Sequence, residues 1–362
     1  IPIFFSLIYD GGSFSLTGLN IHQQNNNISL FGYVYKESII KNILLYEINI
    51  SGLDNVGGLV GENYGHLENC YIKGNIKGTN DTGGVVGRNN YCMIKNCSMT
   101  GNISGYGRYG GIGGIVGLNY NGVVDKCHTK CNVSGYSGVG GIFGGNIGYH
   151  SLVKNCSTNV NVNADKTIGG FGGGNIEGDI FKCYSKGTVK GRRTNGGFLG
   201  LNIHGRIYDS YSMCDVKGHS YVGGFIGFCS GIISNSYSTG KVSGAEYVGG
   251  FSGEGGDFLR DCFWDMESSQ IAISNGGEGK NTSQMQNNKT FIEAGWDLEN
   301  VWNITVNRTY PFLRWEENRA PIIITRNMET ATEDSLYLVD YEFQDPNPSD
   351  TNPLWSLDTD AE

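Results

Sequence analysis

Carboxylates at matching positions of an internal repeat are the first candidates for chemistry in this 362-residue chain. Asp209 and Asp261 occupy equivalent positions in two units, and Asn235 holds that position in the unit between them. If the units stack like parallel strands, the two aspartates lie roughly 10 Å apart, whereas the paired carboxyl groups of glycosidases lie about 5–9.5 Å apart. Other units carry asparagine or lysine there, so we expect hydrogen bonding between units. A polysaccharide lyase or hydrolase is kept as the alternative.

Cysteine and histidine are the other candidates for nucleophilic or metal chemistry. Six of the ten cysteines recur at one position of the repeat: Cys70, Cys97, Cys127, Cys156, Cys183 and Cys262. Stacked in parallel, their Cβ vectors do not converge as a disulfide requires, so buried structural thiols are expected. The six histidines share no position, and no Cys or His spacing fits zinc. We therefore predict no catalytic, cofactor-binding or metal-binding residues.

The repeat itself decides the architecture that must position any such residue. Gly-Gly pairs begin at 57, 83, 113, 140, 169, 196, 223 and 249, so that the units are 26–30 residues long. Periods of 20–50 residues are typical of solenoids and other stacked arrays. Glycine accounts for 58 residues and proline for only 6, and no collagen triplet is present.

Short apolar segments recur within each unit. Three residues before the cysteine position the chain has Leu67, Ile94, Val124, Val153, Ile180, Ile207, Ile233 and Leu259, and six residues after it Ile76, Ile103, Val133, Val162, Val189, Val216 and Val242. Such β-branched segments bounded by glycine, without helical periodicity, indicate strands. One unit cannot bury its apolar side alone, whereas stacked units share a core. The sequence predicts an all-β fold, a β-solenoid or β-helix with about three strands per coil.

Two polar or aromatic columns accompany the apolar ones. The first is an asparagine column at positions 63, 89, 119, 146, 175 and 202, which we interpret as hydrogen-bonded amides stacked at a turn. The second follows the cysteine position and contains Tyr71, Tyr184, Tyr211 and Tyr237 among Ser98, His128, Ser157 and Phe263. These four tyrosines are the predicted surface contacts, because aromatic rings stack on sugars. Partial burial under neighbouring coils is the alternative.

Charge divides the chain near residue 316. Residues 316–362 carry 12 acidic residues and two arginines, a net charge of −10, whereas 1–315 carry 23 acidic and 24 basic residues, a net charge of +1. Neither part has the basic stripe of a nucleic-acid binder. No apolar run reaches the ~18 residues that a membrane helix needs. Since the chain begins with neither methionine nor a signal region, we expect an internal piece of a longer protein.

The repeat resembles the GLUG-motif family, whose core reads like Gly58-Leu59-Val60-Gly61. The stretch from residue 223 to 244, GGFIGFCSGIISNSYSTGKVSG, is similar to the family repeat throughout and departs mainly at Cys229. The resemblance extends over about 9–315 and implies a β-helical region of a large secreted or surface-attached microbial protein, often adhesin-like. It carries no catalytic residues to transfer.

The C-terminal stretch is similar to the start of a bacterial cadherin-like or Ig-like repeat. Residues 318–323 (NRAPII) open it, and an alternating strand pattern follows at Tyr337, Val339 and Tyr341. Such modules often carry calcium in an aspartate-rich loop, but Asn347 and Pro348 interrupt the acidic run here. No other cofactor is expected. An acidic solvated linker is the alternative.

These expectations combine into a non-enzymatic, extracellular segment that displays or spaces surfaces for adhesion to a glycan or a protein. Nucleic acid and membrane are not expected partners. We predict incomplete first coils over residues 1–56, the repeat solenoid over 57–262, a cap that closes its open end over 263–315, and a partial β-sandwich module over 316–362.

Overall fold

The computed structural model of the chain describes residues 4–5, 7–12, 14–106, 110–316, 322–323 and 343–344. Most of these residues belong to four parallel sheets, named A to D below, which wind into a β-solenoid of about nine turns. Strands pair with the equivalent strand of the next coil, with a register shift between Ile72 and Gly74 against strand Leu44–Ser51. The predicted all-β solenoid is thereby confirmed.

Sheets A and B contain ten strands each. The strands of sheet A are Phe4–Phe5, Phe31–Val34, Val60–Asn63, Val86–Asn90, Val116–Tyr120, Phe143–Ile147, Gly172–Ile176, Leu199–Ile203, Ile226–Cys229 and Ser252–Glu254. The strands of sheet B are Ile8–Asp10, Ile39–Lys41, His66–Glu68, Met93–Lys95, Val123–Asp125, Leu152–Lys154, Asp179–Phe181, Arg206–Tyr208, Ile232–Ser234 and Leu259–Arg260.

Sheet C has the longest strands, of up to eight residues, and the strands of sheet D have two to four residues. The strands of sheet C are Ser15–Thr17, Asn20–His22, Leu44–Ser51, Tyr71–Gly78, Ser98–Gly105, His128–Ser134, Ser157–Asn163, Tyr184–Lys190, Tyr211–Lys217, Tyr237–Ser238, Val242–Ser243, Phe263–Asp265 and Glu278–Lys280. The strands of sheet D are Val56–Gly57, Thr82–Gly83, Ile112–Gly113, Ser137–Gly140, Lys166–Gly169, Arg193–Gly196, Ser220–Gly223 and Glu246–Gly249.

Each full coil therefore has four strands, in the order D, A, B, C, rather than the three expected from sequence. The additional strand is the one in sheet D, which ends on the first glycine of each Gly-Gly pair. A two-residue strand that ends in glycine has no apolar alternation to reveal it. The pair marks the corner between sheets D and A, where a Cβ on Gly83 would collide with the carbonyl oxygen of Val86 and one on Gly84 with that of Gly114.

The core lies inside the coil and is built from stacked identical positions. Phe171, Phe198, Phe225 and Phe251 are fully buried, and their ring centroids are 4.5–4.8 Å apart from coil to coil. This distance is close to the strand spacing of about 4.8 Å that the backbone imposes. All ten cysteines are buried with free thiols, and Cys97 donates its S–H to the carbonyl oxygen of Lys95.

The segment predicted as an end cap follows two paths. Trp264 lies at the end of the solenoid and donates its Nε1–H to the carbonyl oxygen of Ile271 at 3.0 Å. Residues 281–316 instead turn back along the outside of sheet C, with helices Thr282–Met285 and Asn288–Glu293, the antiparallel strands Trp302–Asn303 and Phe312–Leu313, and a 3₁₀ turn Arg314–Glu316. Helix Met266–Ser269 precedes them. We call residues 281–316 the strap.

The predicted partial β-sandwich over 316–362 lies largely outside the described residues. Within them, strands Ile322–Ile323 and Phe343–Gln344 form one antiparallel pair.

Candidate ligand-binding cleft

The strap covers the tyrosines predicted as surface contacts. Tyr184, Tyr211 and Tyr237 are 6%, 1% and 0% exposed. The hydroxyl of Tyr211 donates to the carboxylate of Glu316 at 3.0 Å, and that of Tyr237 donates to the carbonyl oxygen of Pro311. Burial, assisted by the charge of Glu316, raises the pKa of Tyr211 well above its ordinary value.

The expectation that this column faces solvent is therefore wrong for these three side chains. Trp315 completes the cover by stacking on Tyr184 at a centroid distance of 5.7 Å. Tyr71, beyond the reach of the strap, is 9% exposed and packs against Tyr46. The physical reason is non-local: a segment about a hundred residues downstream supplies the apolar cover. The column fixes the strap to the solenoid.

The asparagine column forms the predicted amide ladder. The Nδ2 of each residue donates to the Oδ1 of its neighbour in the next coil, at 2.7–2.9 Å from Asn63 through to Asn202. All six side chains are 0% exposed. A closed chain of buried amides stabilises the turn and leaves no polar group directed at solvent.

The position of the repeat that holds Asp209 and Asp261 also lies in a turn. Asp209 and Asp261 have φ of 48° and 51°, in the left-handed region that Asn and Asp tolerate best. The carboxylate of Asp209 accepts from the indole N–H of Trp302 and the amide of Asn235, both at 3.3 Å. Burial raises the pKa of Asp209 above 3.8, and these two hydrogen bonds oppose the rise. This geometry fastens the strap to the turn.

A second left-handed column changes its residue types along the rod. It lies two residues before the Gly-Gly pair, at the beginning of the sheet D strand. Early coils hold Asn55, Asp81 and Gly138 there, with φ of 54°, 41° and 64°. The last four coils hold Thr167, Thr194, Tyr221 and Tyr247, with φ of 51°, 58°, 56° and 51°.

Threonine and tyrosine are unfavourable in this conformation. The left-handed region costs an L-residue roughly 1–2 kcal/mol, and β-branched residues are genuine outliers there. The same turn is made with Asn, Asp or Gly in earlier coils, so its geometry does not require Thr or Tyr. Unfavourable backbone conformations tend to cluster at functional sites.

Thr167, Thr194 and Tyr221 line a surface cleft of about 430 Å³, which is within the size range of ligand pockets. Its lining consists of Lys166, Thr167, Arg193, Thr194, Leu201, Tyr221, Phe228 and Glu254. Tyr221 stacks on Tyr247 with ring centroids 4.8 Å apart and planes 5° apart. Tyr247 is 56% exposed. The cleft thus combines flat aromatic surface with hydroxyls and two cations.

The two cations lie side by side. Lys166 and Arg193 are register partners in adjacent strands of sheet D. Lys166 Nζ lies 5.3 Å from the ring centre of Tyr136, and the guanidinium of Arg193 lies 5.3 Å from that of Tyr221. Neither takes part in an ion pair among the described residues, in contrast to the neighbouring Arg192, which pairs with Asp165.

An apolar face continues from the cleft across sheet A. Its half-buried outward side chains are Leu118, Tyr120, Ile147, Ile176, Leu201, Ile203 and Phe228. Gly145 and Gly174 lie between Leu118 and Leu201 in one column, so the face has a depression there. A Cβ on Gly174 would meet only the Cγ2 of Thr167, at 3.9 Å. Contiguous exposed apolar surface of this kind marks interaction sites.

A second cleft, of about 490 Å³, lies between the last coil and the strap. Its acidic groups include Glu278, which pairs with Lys280, and Asp261, whose carbonyl oxygen accepts from the indole of Trp296. The described residues contain no group of three or more His, Cys, Asp or Glu side chains placed to hold a metal ion. We interpret this cleft as the seam where the strap packs on the solenoid.

None of the residues that line the cleft of sheets D and A was selected from the sequence. One signal was present: the residue two positions before Gly-Gly changes from Asn, Asp or Gly to Thr, Thr, Tyr and Tyr. Its meaning depends on the sign of φ at that position, which the sequence alone does not state.

Comparisons with known proteins place the repeat in context. Residues 52–77 and 78–104 match the GLUG motif. Halomucin of Haloquadratum walsbyi (strain DSM 16790 / HBSQ001) is 29% identical over 86 residues, which is 23% of this chain and 1% of halomucin. A solved Bacteroides ovatus protein, proposed to be an immunoglobulin A1 protease, aligns over 86% of this chain and 78% of its own, with 18% identity and a TM-score of 0.35. No described helix is long and apolar enough to cross a membrane.

Proposed function

We propose that this GLUG-repeat solenoid is a non-enzymatic, extracellular rod that binds carbohydrate through the cleft between sheets D and A. The observation that carries the proposal is the replacement of Asn, Asp and Gly by Thr and Tyr at the left-handed position, confined to the coils of the cleft. Threonine and tyrosine are disfavoured by the backbone conformation at this position, but their side chains are suited to binding a ligand.

The chemistry of the cleft supports a sugar. Tyr221 lies between the guanidinium of Arg193 and the ring of Tyr247, so the exposed outer face of Tyr247 and the ring edges remain for the C–H face of a pyranose. Thr167 and Thr194 line the cleft beside them. Aromatic residues supply contact area at a low cost in side-chain entropy. Cleavage would require an acid placed against the bound sugar. The acid of the cleft, Glu254, is two residues from Ser252, whose hydroxyl donates to the carbonyl oxygens of Glu254 and Gly255 in the last turn.

Similarity to halomucin supports a location outside the cell, although the match spans 1% of that protein. A stiff rod suits such a location, because stacked coils hold the cleft at a fixed distance from flanking segments. Sugar binding in the cleft then serves adhesion, and the solenoid acts as the spacer that carries the cleft.

Binding to a panel of immobilised glycans tests the proposal. We compare the wild-type chain with Tyr221→Ala and with Tyr91→Ala, a control tyrosine that is 63% exposed and four coils away from Leu201. We expect Tyr221→Ala to raise the Kd by about tenfold, equivalent to 1.4 kcal/mol, and Tyr91→Ala to leave it unchanged.

The proposal fails if the wild-type chain binds no glycan of the panel, or if both variants bind like the wild type. Time-dependent release of shorter sugars from a bound polysaccharide would contradict the non-enzymatic part. Loss of that release in Glu254→Gln, which alters the acid that lines the cleft, would then favour the lyase or hydrolase.

A further inference from the structure

We infer that the ligand is an acidic, linear polysaccharide that lies parallel to the solenoid axis, with its chain in the glycine depression of sheet A and an acidic group at Lys166 and Arg193. This inference rests on the proposed function and specifies its substrate class. Three features of the surface lead to it: a track along the axis, a pair of uncompensated cations, and an opening between them.

The track is formed by one column of sheet A. Leu118, Gly145, Gly174 and Leu201 are consecutive register partners, so the two glycines form a depression between leucines that lie three inter-coil steps, or about 14 Å, apart. The side chain of Leu118 reaches over Gly145, and the depression is deepest at Gly174. Ile147, Ile176 and Ile203 form its wall toward sheet B. Because the isoleucine wall continues past the depression from coil to coil, the surface offers an extended chain a path parallel to the axis.

The cations lie where this track meets the cleft. Thr167 follows Lys166 in the chain, and its methyl group is the atom nearest to a Cβ on Gly174. Like charges directly opposite each other on neighbouring strands are destabilising, and Lys166 and Arg193 are such a pair. An anionic group between them would relieve that repulsion and would add charge-assisted hydrogen bonds.

Glu254 and Glu246 lie toward the other end, next to Phe228 and Ser220 respectively. The surface is therefore positive where it joins the glycine depression and negative toward the last coil. A polymer with evenly spaced acidic groups is attracted to the positive part and repelled by the negative part. We therefore place its path from Arg193 and Lys166 toward Leu118, away from the last coil.

The aliphatic face also indicates a sugar chain rather than a nucleic acid. Its outward positions carry mainly isoleucine, leucine and glycine, with Tyr120 and Phe228, and these match the C–H surfaces of pyranose rings. The cations are confined to Lys166 and Arg193 at its edge, whereas a nucleic acid would need a row of them. An acidic peptide is the competing occupant, and the test distinguishes it.

The test uses the whole chain and oligogalacturonates of defined length, with neutral oligosaccharides of equal length and poly-glutamate as competitors. Gly174→Leu fills the depression, and it is tolerated structurally because a Cβ there meets no atom closer than 3.9 Å. Arg193→Gln removes one cation. Arg206→Gln, on sheet B and bonded to Asp179, is the matched control.

We expect the wild-type affinity to rise with oligogalacturonate length until the chain spans the depression, and to fall as salt increases. Gly174→Leu should abolish the gain with length but preserve binding of the shortest sugars that bind. Arg193→Gln should weaken acidic oligomers at least tenfold and neutral ones less than twofold. Arg206→Gln should bind like the wild type.

The outcomes separate this inference from the proposed function. Binding of neutral sugars at Tyr221, with no dependence on charge, length or Gly174→Leu, overturns the inference and leaves the proposed function standing. Stronger binding of poly-glutamate than of oligogalacturonate overturns it in favour of a protein partner. Absence of binding by every sugar overturns both.

Discussion

Replacement of the two threonines that have a left-handed backbone conformation is the sharpest test of the reasoning about the cleft. Thr167 and Thr194 adopt φ of 51° and 58°, a conformation in which the same protein places Asn55 in an earlier coil. We expect the double variant Thr167→Asn, Thr194→Asn to be more stable than the wild type. Asparagine occupies this region several times more readily than most residues, and β-branched residues avoid it.

The magnitude follows from the backbone cost. If each substitution recovers about 1 kcal/mol of the roughly 1–2 kcal/mol penalty, the pair gains about 2 kcal/mol. An unfolding entropy of about 2.1 cal/mol/K per residue over a folded region of roughly 300 residues converts this gain into a rise of about 3 °C in Tm.

The assay is thermal unfolding followed by far-UV circular dichroism, with the reverse substitution Asn55→Thr as the control. That variant introduces the penalty and removes the hydrogen bond from Asn55 to Asn27, and we expect it to lower the stability by about 2 kcal/mol. A double variant that melts at or below the wild-type temperature would refute the claim that the threonines oppose folding. Glycan binding by the same variant should weaken.

The remaining predictions concern parts of the fold outside the cleft. Asn146→Ala should lower the free energy of unfolding by about 2–4 kcal/mol, because it leaves its buried ladder partners without hydrogen bonds. Asn132→Ala, in an exposed ladder of similar hydrogen bonds, should lower it by less than about 1 kcal/mol. Urea titration measures both, and equal losses of stability would contradict the role of burial. Asp209→Asn should weaken the pH dependence of stability. Burial raises the folded-state pKa of Asp209 above 3.8, so the folded form binds the proton more tightly than the unfolded form. The stability of the wild type should therefore fall as the pH rises from about 3.8 through the raised pKa. A wild-type Tm that rose through this window, relative to the variant, would reverse the assigned direction. Trp315→Ala should remove the contact with Tyr184 and lower the stability by about 2 kcal/mol, with faster exchange of strap amides than of coil amides. Equal exchange in both would contradict the role of Trp315 in holding the strap on the solenoid.

The coil was predictable because its determinants are local and repeated. The apolar column from Leu67 to Leu259 and the Gly-Gly pairs each recur once per unit, so the position of one strand implies that of all its equivalents. The inward direction of the cysteines and the amide ladder followed from the same repetition. The strand of sheet D was missed because two residues such as Thr82–Gly83 carry no alternation.

The strap was not predictable by the same argument. Its aromatic residues indicated a cover, but the surface that they cover depends on where residues 281–316 turn, and the repeat contains no information about that path. The error at Tyr211 and Tyr237 has this origin, since alternation in sheet C places them outward and only the strap buries them. The cleft depends likewise on φ at Thr167 and Tyr221, which a residue type alone does not fix.

The structure of the chain bound to an oligogalacturonate measures the central claim most directly, because it locates the ligand. We expect the sugar chain against Tyr221 and Arg193, continuing along the depression at Gly174. A ligand on sheet C or on the strap, or a saturated solution that leaves the cleft empty, would contradict the account.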